Sequence, residues 1–240
     1  MYAEISFTKE NLDTYLGELA KEFRKLNGRK MPAEIILVGG AAVLINYGFR
    51  EKTYDIDAVI LASSVMKEAI NHVGDKMGLP NGWLNTDFKR TKSFSDKLAQ
   101  VSVYYKTLSN VLTIRTIAAE YLIAMKLMSG RRYKNDLSDI AGILWEHKKN
   151  ETPVTRAAIE KAVDTLYGSW AQIPDSSMQL IKTAFNSDDY ESLYVQYSES
   201  ELQAKKDLLE FERDFPDPLK GESIESVLEK ARKKRENGSY

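Results

Sequence analysis

Apolar residues recur along the start of the chain first with the period of a helix and then with that of strands. In SFTKENLDTYLGELAKEFRKLNG (residues 6–28), Leu12, Tyr15, Leu16 and Leu19 share one stripe, which Phe23 and Leu26 continue. Thr8 or Asn11 offers a start cap, and Gly28 a stop. AEIILVGG (33–40) is a short β-rich run closed by two glycines, and AAVLINYGF (41–49) is a compact apolar helix. TYDIDAVIL (53–61) reads as a strand. SSVMKEAINHVGDKMG (63–78) reads as a helix, with Ser63 or Ser64 as cap and Gly78 as stop. LPNGWLNTDFKR (79–90) has the Pro, Gly and Asn content of a loop. AQVSVYYKT (99–107) and VLTIRTI (111–117) read as strands joined by a turn at LSN. AAEYLIAMKLMSG (118–130), ended by Gly130, and DLSDIAGILWEHKK (136–149) are helices.

From about Thr152 onward the pattern holds no strand. TRAAIEKAVDTLYGSW, SSMQLIKTAF and SESELQAKKDLLEFERDF are helical in character, Pro216 and Pro218 break the last of these, and SIESVLEKARKKREN (223–237) reads as a final helix or a tail. The pattern therefore predicts an α/β (α+β) fold, with a domain over residues 1–150 and a helical C-terminal domain or extension over 151–240. No Gly/Ser/Pro-rich linker separates the two, so they are expected to pack together.

Composition narrows the class. The 240 residues are 43% hydrophobic and 29% charged, as in a globular chain. No apolar run approaches the roughly 18 residues of a membrane span, and the first residues lack the apolar core of a signal peptide. Cysteine is absent, which excludes disulfides and thiolate metal sites. The expected location is cytoplasmic. A net charge of −1 gives no global attraction to nucleic acid. Two histidines far apart in sequence give no His-based zinc site, and neither a Ser nucleophile elbow nor a P-loop is present.

The candidate chemistry lies in TYDIDAVIL. Asp55 and Asp57 alternate, so on a strand they share a face. Two such carboxylates repel one another unless a cation sits between them, and Mg²⁺ with its oxygen ligands meets that need. The plainer reading is a solvent-facing strand end. Gly39 and Gly40 raise the odds of function. They end the preceding strand and open a helix, where free N–H groups and the positive dipole end can seat a phosphate.

LVGGAAVLINYG followed by REKTYDIDAVI resembles the nucleotidyltransferases of the DNA polymerase β superfamily, whose pattern is hG[GS], a helix, then [DE]h[DE]h on the next strand. Within it the chain is most similar to small bacterial proteins related to the nucleotidyltransferase toxins of abortive-infection (toxin–antitoxin) systems, because MKLMSGRRYKNDLSDI resembles their K-x-x-x-G-R-x-x-D-x-x-D-I segment. The resemblance spans residues 34–144. It implies a small mixed sheet flanked by helices and the transfer of an NMP from an NTP to a hydroxyl of RNA (tRNA among them), a protein or a small molecule. It implies Mg²⁺ (or Mn²⁺) on Asp55 and Asp57, phosphates at Gly39 and Gly40, and Lys126, Arg131, Asp136 and Asp139 near the nucleotide. A cognate antitoxin or toxin is the implied protein partner.

One departure stands out. Members of the superfamily carry a third carboxylate on a later strand, yet neither AQVSVYYKT nor VLTIRTI holds an acid. Asp87 and Asp96 are the best substitutes, both in loop-like sequence where the plainer reading is solvated surface. Other readings stay open. Lys126 is a triphosphate ligand or a lysine snorkelling from a half-buried helix. Arg131, Arg132 and Lys134 contact phosphates or form a solvated loop. Asp136 caps a helix or serves the site. Arg50 and Lys52 neutralise phosphates or are plain loop charges. The rival to an enzyme is a catalytically silent binding module or antitoxin. An RNA-recognition domain is a third reading, requiring a continuous basic surface from Arg131, Arg132 and Lys134.

Overall fold

The apolar runs between the glycine turns assemble into one mixed sheet. Its strands are β1 (Ala33–Leu37), β2 (Ile56–Leu61), β3 (Leu84–Asn85), β4 (Ser102–Leu108) and β5 (Leu112–Ile117), in the order β3-β2-β1-β5-β4. The structure, a computed structural model, describes residues 5–27, 31–131 and 134–214, the side chains of 211–214 excepted. Readings placed on Gly28, Arg132, Pro216, Pro218 and residues 223–237 lie outside the described residues. β1 runs antiparallel to β2 and parallel to β5, β3 runs parallel to β2, and β4 antiparallel to β5.

Eight α-helices flank the sheet among the described residues: α1 (Lys9–Asn27), α2 (Gly39–Asn46), α3 (Val65–Met77), α4 (Ala119–Ser129), α5 (Asp136–Lys149), α6 (Arg156–Tyr167), α7 (Asp175–Ser187) and α8 (Tyr190–Asp214). None is long and apolar enough to cross a membrane. Period-two alternation divides the sheet residues between two cores. Ile35, Leu37, Ile56 and Ala58 point to a core closed by α1 and α3, which holds Leu16, Phe23 and Val73. Ile36, Val38, Val59 and Ile117 point to the opposite core, built from α4 to α8. Ile159, Ile181 and Leu193 belong to this second core, so the helices after residue 150 pack directly on the sheet-bearing part.

The expected mixed α/β fold with a helical C-terminal part is therefore present. Three local expectations are corrected. β2 starts at Ile56 rather than Thr53, because Thr53 is held in a separate antiparallel bridge to Phe7 and the chain bends between them. The expected loop 79–90 contains the two-residue strand β3 and a 3₁₀ turn over Asp87–Arg90, which a composition reading cannot separate from coil. The helix expected over SESELQAKKDLLEFERDF begins earlier, at Tyr190, so YESLYVQY and SESELQAKKDLLEFERD form one continuous helix.

Candidate functional site

The site grows from the β1–α2 turn. Val38 ends the strand segment and donates its N–H to the carbonyl of Asp57 at 3.0 Å, which ties the turn to β2. Gly39 then opens α2 at φ +56°, a conformation that costs a side-chain-bearing residue about 1–2 kcal/mol. A methyl group on Gly39 would lie 3.7 Å from Oδ2 of Asp57, so the helix start and the carboxylate are immediate neighbours. Gly40 has a different role. A methyl there would meet Oγ1 of Thr53 at 2.6 Å and Nη2 of Arg50 at 3.0 Å, so Gly40 permits close packing behind the turn.

Asp57 lies on β2 with its side chain on the α4 face of the sheet, two positions before Val59 of that core. Asp55 precedes the strand and is about half exposed. Burial pushes the Asp57 carboxyl up to about 6, with repulsion from Asp55 next and a smaller contribution from Asp87, against the opposing pull of Lys134 and Arg131. Lys134 stands 3.9 Å from Asp55, an exposed pair of little energetic weight.

Asp57 opens into a cavity of about 200 Å³ lined also by Val38, Gly39, Asp87, Phe88, Thr91 and Ser93 on the sheet side. Leu122, Met125, Lys126, Ser129, Arg131 and Asp136 form its other wall. Asp87 arrives through β3. Asn85 pairs with Asp57 in the parallel register, and two residues later the 3₁₀ turn begins with Asp87, its N–H donated to Oδ1 of Asn85 at 2.8 Å. The loop-like stretch thus brings a third acid to the cavity that holds Asp57. Asp96 sits in another 3₁₀ turn, Asp96–Ala99, which packs toward α6 and does not line the cavity.

The opposite wall is a buried ion network. Nζ of Lys126 lies 2.9 Å from Oδ1 of Asp136 and 2.7 Å from Oδ2 of Asp139. Arg50 closes one end, its Nη1 donating to both oxygens of Asp139 at 2.7 and 2.6 Å. Arg131 closes the other, donating its backbone N–H and its Nε to Asp136 at 3.2 and 3.0 Å. Burial opposes ionisation of Lys126, but the two aspartates outweigh it and hold the ammonium above its ordinary range. Burial likewise acts to raise Asp136, yet Lys126 and Arg131 keep its carboxyl well below the usual carboxylate range. Three cations, Arg50, Lys126 and Arg131, are interleaved with two carboxylates here, and Arg131 also acts on Asp57 across the cavity.

The sequence candidates are therefore distributed unevenly. Gly39, Asp57, Asp87, Lys126, Arg131 and Asp136 share one cavity. Asp139 and Arg50 stand behind its wall, Gly40 behind its turn, and Asp55 at its outer edge. Phe88, Thr91 and Ser93 were not singled out by pattern, because only the fold of the 3₁₀ segment turns them inward.

Among the described residues no three His, Cys, Asp or Glu side chains are grouped to hold a metal ion. The donor set of Asp55 and Asp57 nonetheless fits a hard cation that draws its remaining oxygens from phosphates and water. The Asp57 carboxyl is raised first by burial and then by Asp55, more than Lys134 and Arg131 lower it, and a cation held between the two acids would oppose both raising effects.

Residues 14–152, more than half of the chain, match a family model described as a nucleotidyltransferase of unknown function (DUF6036). No curated protein and no solved structure matches the chain.

Proposed function

The chain belongs to this nucleotidyltransferase family, and from that premise we propose that it is a Mg²⁺-dependent enzyme moving an NMP from an NTP to an acceptor hydroxyl. The observation that carries the reading is the single cavity shared by Gly39, Asp57, Asp87 and Arg131. The phosphates lie at the start of α2, where free N–H groups and the dipole favour negative charge. Arg131 faces them from the other wall. Asp55 and Asp57 hold Mg²⁺ or Mn²⁺, whose contribution when bound is to neutralise the phosphate oxygens and the departing pyrophosphate. The acceptor oxygen attacks the α-phosphorus, the bond to the β-phosphate oxygen breaks, and pyrophosphate leaves. Asp87 takes the proton of the acceptor hydroxyl. Positioning and electrostatics supply most of such catalysis.

RNA is the acceptor class best supported. Lys89, Arg90 and Lys92 are exposed on the 3₁₀ segment that also supplies Asp87, Phe88 and Thr91 to the cavity. They form a cationic rim suited to a phosphate backbone. The toxin-like role remains part of the proposal, tested by whether induced expression arrests growth only when Asp57 is intact.

The direct test is label transfer. The protein is incubated with Mg²⁺, each labelled NTP and a mixture of cellular RNA and protein. Asp57→Asn is expected to lower incorporation at least about 100-fold, and Asp87→Asn by a similar factor. Asp57→Asn is expected to melt at or above the native protein, since it removes a crowded charge. Nucleotide binding by the folded native chain without any label transfer would replace the enzyme by the silent binding module.

A further inference from the structure

The cavity wall is set by the first turn of α5, and that turn is held from outside the family-matched region. α5 begins with Asp136, whose carboxylate anchors Lys126 and Arg131. A helix start leaves its first N–H groups without partners inside the helix. The local cap position, Asn135, makes no side-chain bond to them. The missing acceptor comes from α8. Oε1 of Glu201 accepts the N–H of Leu137 at 2.8 Å and that of Ser138 at 3.4 Å, across 64 and 63 residues of sequence. Glu201 is 5% exposed, and its other oxygen, Oε2, is buried with no hydrogen-bond partner. A leucine would fill this space without the cost of burying a carboxylate, so the side chain's use lies in its bonds to α5. Two further contacts bring α8 to the same region. Tyr194 donates its hydroxyl to the carbonyl of Phe49 at 3.2 Å, and Nζ of Lys205 lies 4.8 Å from the ring centre of Tyr54, beside Asp55.

We propose that Glu201 is a positioning residue for the cavity: by capping α5 from α8 it fixes Asp136 and Asp139, and through them the cationic wall of Lys126 and Arg131. The inference rests on the reading of that cavity as an NTP site. α8 lies wholly beyond residue 152, the end of the family match. α8 thereby becomes a working part of a site whose other residues lie within the match.

Three variants test this: Glu201→Ala, Glu201→Gln and, as a control, Leu193→Ala. Leu193 is a buried α8 residue of the same core. Each is titrated with fluorescent methylanthraniloyl-labelled ATP, GTP, CTP and UTP in Mg²⁺, below the melting point of every variant. Hydrogen exchange of peptides covering residues 126–139 is followed without nucleotide. Glu201→Ala is expected to weaken binding about tenfold, as loss of an outer-shell partner does, and to speed exchange in that segment. Glu201→Gln, which keeps the acceptor oxygen, is expected to restore both. Leu193→Ala is expected to lower the melting temperature while leaving affinity and exchange at 126–139 unchanged. Native-like binding by Glu201→Ala, or an equal loss in Leu193→Ala, overturns the proposal. If the native protein binds none of the four nucleotides, the NTP reading fails by itself. The exchange data then decide the positioning role, which falls if Glu201→Ala exchanges like the native chain.

Discussion

Removing the Lys126 ammonium leaves Asp136 and Asp139 buried without their shared cation. Breaking a buried ion pair from one side costs about 3–5 kcal/mol, so Lys126→Met is expected to lose that much in urea unfolding. A lysine whose only task were to meet phosphate would leave stability nearly unchanged when replaced. Glu201 gives a second residue-scale expectation. Burial pushes its carboxyl up to about 8, with a further raising effect of Asp139, although the N–H groups of Leu137 and Ser138 pull the other way. The folded state therefore binds a proton that the unfolded chain has already released above its ordinary carboxylate range. Stability from this group is full below that range and is lost as pH rises through about 8. Compared with Glu201→Gln, the native protein is expected to lose about 1.4 kcal/mol per pH unit across that window. Unfolding series of both proteins at stepped pH measure the difference, and parallel curves would contradict the assignment.

At the scale of elements, close approach decides more than propensity. α5 passes the α2–β2 connection at Gly142, where an added methyl would lie 2.6 Å from Cε2 of Phe49 and 2.7 Å from Cζ. Phe49 is itself stacked on Tyr47 and edge-on to Tyr194, so it has little room to yield. Gly142→Ala gains helix propensity, yet overpacking of this kind costs about 1–3 kcal/mol. The expected result is a lower melting temperature, and a higher one would show that Phe49 can move. The helices were largely legible as elements because α1, α3 and α6 carry apolar stripes at helical spacing. β3 was not, since two residues show no periodicity. Asp87 became a site residue only through the pairing of β3 with β2.

For the whole molecule, the two cores share one sheet. Trp83 reports on the core under α1 and α3, while Trp145 and Trp170 pack against the other. A single cooperative unit is expected. Fluorescence of Trp83 alone, in a Trp145→Phe/Trp170→Phe variant, should unfold at the same urea concentration as its far-ultraviolet circular dichroism. Separate midpoints would mean that the helices after residue 150 unfold independently. The cationic rim of Lys89, Arg90 and Lys92 belongs to this scale too. If it carries RNA, the triple alanine variant should flatten the logarithmic salt dependence of binding by about 2, near 0.7 per lost single-strand contact.

The sequence by itself determined the elements that depend on neighbours along the chain. These are the glycine turn into α2, the alternation that starts with Asp55 and Asp57, the helical stripes, and the motif order that led to the nucleotidyltransferase family. Those features are local, because backbone conformation and side-chain period act over a few residues. Only the tertiary structure decided which charges are spent on one another and which face the cavity. In sequence Lys126, Arg50, Asp136 and Asp139 each admit a role of their own, but burial and short contacts make them one network, with Lys126 and Asp136 in the cavity wall and Arg50 and Asp139 behind it. Glu201 carries no sequence signal at all, because its partners are the backbone N–H groups of Leu137 and Ser138, more than sixty residues away. Backbone donors leave no mark in residue identity, and their direction is fixed only when α8 docks on α5.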